Sequence, residues 1–170
     1  MYQRRIFIYC CRMLRDEQDA EDAAQDIFVR AYESIHRYKP TVGFTAWLYK
    51  IAYRHCLNLL RRSRLLQQKR LLFRQDQDEA AESPEQIVDR YLFGPPLDAV
   101  WQRLTLTEHN LLILSVFEEK TVTEIADIIG RNPESVKKRI TRTKQKVRDM
   151  LKKEEEQGWR VQQTWLRTKI

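Results

Sequence analysis

Most of the residues that could do chemistry in this chain are cations. Lys137, Lys138, Thr141 and Arg142 fall at spacings that place them on the outer and flanking faces of one helix, with Ser135 just ahead of them. Lys and Arg in such positions can donate to guanine O6 and N7. A second series, Lys50, Arg54, Arg61, Arg62 and Arg64, continues in Lys69 and Arg70. A series of this kind binds phosphate. Tyr38, Trp47, Tyr49 and Tyr53 lie among these bases, and aromatics interleaved with cations suit a single strand whose bases stack. Trp47 also reads as an ordinary core residue, and Tyr38, in a loop, can serve either purpose. A third group is acidic, running from Asp19 to Asp26. These carboxylates sit on one exposed helix. Acid/base work would need burial to shift a pKa, so they read as a docking face.

Other chemistries have no carrier here. His36, His55 and His109 are far apart, and His55 and Cys56 are neighbours that cannot both face one metal from a regular helix. No Cys-x-x-Cys or His-Glu-x-x-His spacing occurs, and no phosphate-loop, dinucleotide or Gly-x-Ser-x-Gly motif. The expectation is a chain that is not an enzyme, with no metal, no cofactor and no small-molecule substrate. Cys10, Cys11 and Cys56 form an odd, unpatterned set, which suits a reduced cytoplasmic protein. No apolar run approaches the roughly 18 residues of a membrane span.

The elements that must position these residues are helices. The 170 residues are 42% apolar and include only 4 Gly and 5 Pro, a composition that favours helices over a loop-rich sandwich. The net charge of +7 is unevenly spread. Residues 1–74 carry a net of +8, residues 75–104 a net of −5, and residues 105–170 a net of +4. Two basic blocks around an acidic stretch containing Ser83-Pro84 and Gly94-Pro95-Pro96 read as two polyanion-binding units and a linker. The expected fold is all-α: two small helical domains joined by a flexible acidic linker, the second carrying a helix-turn-helix. The expected boundaries are 1–74, a linker at 75–96, 97–151, and an extension at 152–170.

In the first block a helix is expected from Tyr2 to Leu14, with Ile6, Tyr9, Cys10 and Met13 on one side. A second runs from about Ala20 to His36, with Ala24, Ile27, Phe28, Ala31 and Ile35 inward and Asp22, Gln25, Asp26 and Arg30 outward. His36 to Gly43 is a loop, and a long helix follows from about Phe44 to Phe73. In the second block, Thr105 with Glu108 and Thr121 with Glu124 have capping-box spacing. They open helices at Leu106–Glu119 and Val122–Ile129, the latter with Ile125, Ala126 and Ile129 inward. Gly130 stops that helix. Asn132 caps the next and Pro133 takes its first position. A short helix, a tight turn and a longer helix with a basic outer face form a helix-turn-helix whose second helix reads the major groove. A plain helical hairpin is the alternative.

These residues resemble bacterial sigma factors of the extracytoplasmic-function (ECF) class. The resemblance rests on Asp19 to Tyr32, on Phe44 to Ala52 with the Arg61-Arg62 pair, on Thr123 to Gly130, and on Ser135 to Arg142. It covers residues 6–64 and 100–151, about two thirds of the chain.

The resemblance implies a division of labour. The first domain docks on the clamp helices of the RNA polymerase β′ subunit through Asp22, Gln25 and Asp26. It also captures and melts the −10 element, with Tyr38 stacking on a flipped base and Lys50, Arg54, Arg61 and Arg62 on the strand. Extruding a base costs a few kcal/mol and needs a receiving pocket. The second domain reads the −35 element through Lys137, Lys138, Thr141 and Arg142, with Ser135 and Arg139 on phosphates or structural, and it rests on the β flap. The partners implied are core RNA polymerase, promoter DNA and an anti-sigma factor, in the cytoplasm or held at the membrane by that inhibitor.

The family often has Asn where Arg54 stands, in the flipped-base pocket, and it has further residues ahead of Tyr2. The latter points to a truncated or mis-started chain, or one stabilised by a partner. The apolar tail with Trp159, Trp165, Leu166 and Ile170 packs on the second domain or on a partner. The rival readings are a helix-turn-helix regulator that works without polymerase and a sigma-like subunit that needs another chain.

Overall fold

The computed structural model describes residues 2–72 and 100–156. The linker at 75–96, the boundaries drawn at 74 and 97, and the tail residues Trp159, Trp165, Leu166 and Ile170 lie outside the described residues. The side chains of Lys69 and Arg70 do too. All regular structure among the described residues is helical.

Helix α1 (Tyr2–Leu14) buries Ile6, Tyr9, Cys10, Cys11 and Met13. Arg15 then adopts a left-handed φ of 63° and its N–H returns to the Cys11 carbonyl at 2.9 Å, reversing the chain. Helix α2 (Glu17–Ser34) starts three residues earlier than its apolar pattern suggests, because the Asp16 side chain accepts the Asp19 N–H at 2.7 Å. Ala20, Ala23, Ala24, Ile27 and Ala31 face inward. Ile35 was expected inward as well, but it is 46% exposed. The chain tightens there into a 3-10 turn, Ile35–Arg37. At about 3.0 residues per turn that geometry rotates Ile35 off the buried face. Helix α3 (Phe44–Leu72) buries Ala46, Leu48, Tyr49, Ala52 and Cys56 against α1 and α2.

The second unit follows its local signals closely. Both capping boxes form: the Thr105 and Thr121 N–H groups donate to Glu108 and Glu124 at 2.7 and 2.8 Å, and the reciprocal bonds are 3.3 Å. They open α4 (Leu106–Leu112) and α5 (Val122–Ile129). The expected continuation of α4 to Glu119 departs from α geometry. Residues Ile113–Phe117 form a π turn, closed by the Glu118 N–H on the Ile113 carbonyl at 2.9 Å. In α5 it is Ile128 that is fully buried, while Ile129 only packs at the margin. Gly130, at φ 68°, ends α5, and the Arg131 N–H reaches back to Ala126 at 3.0 Å. Asn132 Oδ1 accepts the Glu134 N–H at 2.8 Å and starts α6 (Pro133–Glu156). Val136, Ile140 and Val147 hold α6 on α4 and α5.

The two units touch. Helix α5 packs along α3, and the Tyr9 hydroxyl donates to Asn110 Oδ1 at 2.6 Å within the buried interface.

Candidate nucleic-acid interface

The loop before α3 is organised by aromatic packing. The Tyr38 hydroxyl donates to the Val42 carbonyl at 2.8 Å. Its ring lies 5.7 Å from Phe44 and 5.2 Å from Trp47, centroid to centroid, and Phe44 and Trp47 are 5.4 Å apart. Both readings of Trp47 are therefore partly met: it is half-buried and packs in this cluster beside the core, at the foot of the basic helix. Tyr38 is also half-buried, at the edge of the cluster.

Tyr49 does not belong with the stacking candidates. It is fully buried, lies edge-on to Tyr9 at 5.3 Å, and donates its hydroxyl to Glu118 of the second unit. Burial, reinforced by that bond, pushes its hydroxyl far above the ordinary tyrosine range. The apolar stripe of α3 turns Tyr49 inward, away from the exposed cations.

Beyond the loop, a cleft of about 340 Å³ opens between α2 and α3. Arg30, Arg54 and Arg62 line it, with Ser34, Asn58 and the apolar Ile51 and Leu59. Arg54, Arg61 and Arg62 are exposed and Lys50 is half-buried. The cleft thus gathers Arg54 and Arg62 but not Lys50 or Arg61, and it adds Arg30, which the helical pattern marks only as outward-facing. His55 lies beside these cations. Burial and then Arg30 and Arg62 hold its imidazole below the ordinary range, while Asp26, 3.6 Å away, opposes them. Arg30, Arg54 and Arg62 make the cleft positive at neutral pH.

Nearer the N-terminus of α2, Asp22, Gln25 and Asp26 are exposed at helical spacings of three and four, so they form one patch. Asp26 is shared between this patch and His55.

In the second unit, Ser135, Lys137, Lys138, Thr141 and Arg142 are all exposed on the first turns of α6. Val136 and Ile140, which alternate with them, are buried. One face of α6 is thereby fixed in the core and the other is free. The Thr141 hydroxyl donates to the Lys137 carbonyl at 3.0 Å. Arg139 is exposed as well.

Residues at the junction of the units were invisible as a group in the sequence. Glu118 is buried, with Arg12 Nη1 at 3.3 Å and Arg5 Nε at 3.8 Å. Their sequence separations exceed a hundred residues, and no periodicity marks them. Among the described residues, no group of His, Cys, Asp and Glu is arranged to hold a metal ion, and no helix is long and apolar enough to cross a membrane.

Residues 1–65 match the Sigma-70 region 2 family and residues 96–147 match the Sigma-70 region 4 family. The chain is 29% identical over 150 residues to the ECF RNA polymerase sigma factor SigE of Mycolicibacterium smegmatis, covering 88% of this chain and 58% of that protein. It is 26% identical over 157 residues to the RNA polymerase sigma factor YlaC of Bacillus subtilis, covering 92% of this chain and 91% of that protein. Among solved structures, it resembles the sigma factor RpoE of Bartonella quintana in complex with the anti-sigma factor NepR. The TM-score is 0.65 at 18% identity, over 88% of this chain and 91% of that one. It also resembles CnrH in complex with the cytosolic domain of CnrY, with a TM-score of 0.61 at 20% identity, over 86% and 80% of the two chains. At these identities the structural likeness speaks for the fold.

Proposed function

Because the chain belongs to the ECF class of bacterial RNA polymerase sigma factors, non-enzymatic proteins that bring core polymerase to promoters, we propose a division of that work between its two units. Asp22, Gln25 and Asp26 form the docking patch for the β′ clamp helices. Tyr38 receives a flipped base of the −10 element, and Lys50, Arg54, Arg61 and Arg62 hold the strand beside it, with Arg30 added from α2. Lys137, Lys138, Thr141 and Arg142 read the −35 element, Ser135 meets the adjacent backbone, and this second unit rests on the β flap. The functional boundaries are 1–74 and 97–151. The protein works in the cytoplasm, where polymerase and DNA are. An anti-sigma factor holds it inactive, as the solved complexes of RpoE with NepR and CnrH with CnrY suggest for those proteins.

The observation that carries this reading is the sorting of α6 into a buried Val136/Ile140 face and an exposed face bearing Lys137, Lys138, Thr141 and Arg142. A helix whose first turns are fixed on one side and cationic on the other fits a major groove. The acidic patch separates the sigma reading from that of a free-standing regulator, which has no use for it. The test is binding of this chain to core RNA polymerase beside an Asp22→Lys/Asp26→Lys variant. Binding by the first and loss in the second is expected, with duplex binding by the helix-turn-helix unchanged in both. Polymerase binding that survives the charge reversal puts the docking face elsewhere.

A further inference from the structure

The contact between the two units converges on one side chain. Glu118 is 6% exposed. One of its oxygens takes the Tyr49 hydroxyl and lies 3.8 Å from Arg5 Nε; the other lies 3.3 Å from Arg12 Nη1. All three partners come from the first unit. Glu118 is aimed there by its backbone. It follows the π turn at Ile113–Phe117, and the next residue, Glu119, takes a left-handed φ of 50°. Both are uncommon choices that accumulate where side chains must be placed for a task. Further contacts surround this centre. The Arg12 guanidinium lies 4.6 Å over the Phe117 ring, the Lys120 ammonium 5.1 Å over the Tyr49 ring, and Tyr9 donates to Asn110.

We propose that Glu118 is an intramolecular latch, holding the free chain in a closed resting form that must open before the sigma factor can engage a promoter. The proposal rests on the promoter-binding reading above. Closure and promoter engagement exclude each other on size alone. The −35 and −10 elements are about 25 base pairs apart, or about 85 Å at 3.4 Å per pair. A compact body of the described size has a radius of gyration near 14 Å and a diameter of about 36 Å. The 27 residues from 73 to 99 give the chain the covalent reach to separate the units. The interface is suited to such a cycle. A carboxylate with charged partners gains little net stability when its desolvation is counted, yet it is selective for one arrangement. Once open, each of these groups returns to water.

The latch weakens the apparent affinity for polymerase, because only the open fraction is competent. Glu118→Gln keeps the shape, removes the charge, and leaves Arg5 and Arg12 without their partner. Small-angle scattering of the full chain is expected to show a compact wild type and an expanded Glu118→Gln variant. Core polymerase binding by the variant is expected to tighten about tenfold or more, as the open fraction rises. A wild type that is already extended overturns the proposal. So does a variant that stays compact and binds polymerase as the wild type does. Should circular dichroism show that Glu118→Gln loses helix, Tyr9→Phe decides. It keeps the ring and removes only the hydroxyl that reaches Asn110. It is expected to shift scattering and affinity in the same direction, and an unmoved Tyr9→Phe chain counts against the latch. Expansion in the variants with no polymerase binding by any form leaves the latch standing and removes the docking reading.

Discussion

Tyr38 and Trp47 pack against each other with ring centroids 5.2 Å apart and planes tilted by 51°, one from the loop and one from the first turns of α3. The Tyr38 hydroxyl is tied at the same time to the Val42 carbonyl. A loop that must receive an unstacked base gains from being ordered before the base arrives, since ordering then costs nothing at binding. Tyr38→Ala is expected to leave polymerase binding intact and to lose opening of the −10 region, read as permanganate reactivity of unpaired thymines. Tyr38→Phe retains the ring and should keep most of that opening. Melting by the alanine variant at the wild-type level would relieve Tyr38 of its role.

Base readout by α6 is testable one side chain at a time. Lys138 and Arg142 are a turn apart and both exposed. Replacing either by Ala should cost about 1–3 kcal/mol at a promoter where it makes a good base contact, and much less on unrelated duplex. Selection of binding sites from a random pool, compared between wild type and Arg142→Ala, would show relaxed preference at one or two positions. An unchanged preference in both variants would remove the −35 assignment.

Structure is legible in this sequence where the signal is local. Both capping boxes, the Gly130 stop, the Asn132 cap and the Pro133 start lie within a few residues of what they control, and all appear where their spacing placed them. The exposed face of α6 followed from the same periodicity that buried Val136 and Ile140. Helical periodicity turns Ile35 inward, but a 3.6-residue period does not carry across a switch to 3-10 geometry. The neighbours of Tyr49 are cations in sequence but Tyr9 and Glu118 in space, so its place in the core is not legible from its flanks. The contact between the units left no trace. A Glu that ends a helix reads as solvated, and nothing near residue 118 points to residues 5, 12 and 49.

The thiols report on the first unit's integrity. Cys10, Cys11 and Cys56 are fully buried, with Cys10 and Cys56 Sγ atoms 3.8 Å apart. The contact with Cys56, together with burial, pushes the Cys10 thiol far up, and burial pushes the Cys11 thiol up to about 12. Thiolate, not thiol, is the nucleophile. Burial also shields all three from reagent, so at pH 8 they should react with a disulfide reagent far more slowly than glutathione, and all three should react promptly in denaturant. Fast labelling of the native chain would mean that this core opens readily.

His109 couples the second unit to pH. Its ring stacks on Trp101 at 4.5 Å and 6°, and its Nε2–H donates to the Trp101 carbonyl at 2.7 Å. Burial lowers its pKa. The carbonyl pulls the other way, and Arg15 and Arg64 add to the lowering. His55 in the first unit is lowered too. An unfolded histidine takes its proton near pH 6.5, whereas these two resist protonation while the chain is folded. Above that pH neither state binds the proton and the stability is whole. As the pH falls below it, the unfolded chain binds more protons and stability drops, until the folded histidines titrate as well. The urea midpoint should therefore fall between pH 7.5 and pH 5.5, and His109→Gln should show a shallower fall than the wild type. The comparison is of slopes, so a lower midpoint of the variant at pH 7.5 does not affect it. Equal slopes in the two proteins would show that His109 is as free to take a proton folded as unfolded, against the stacked and buried geometry seen here.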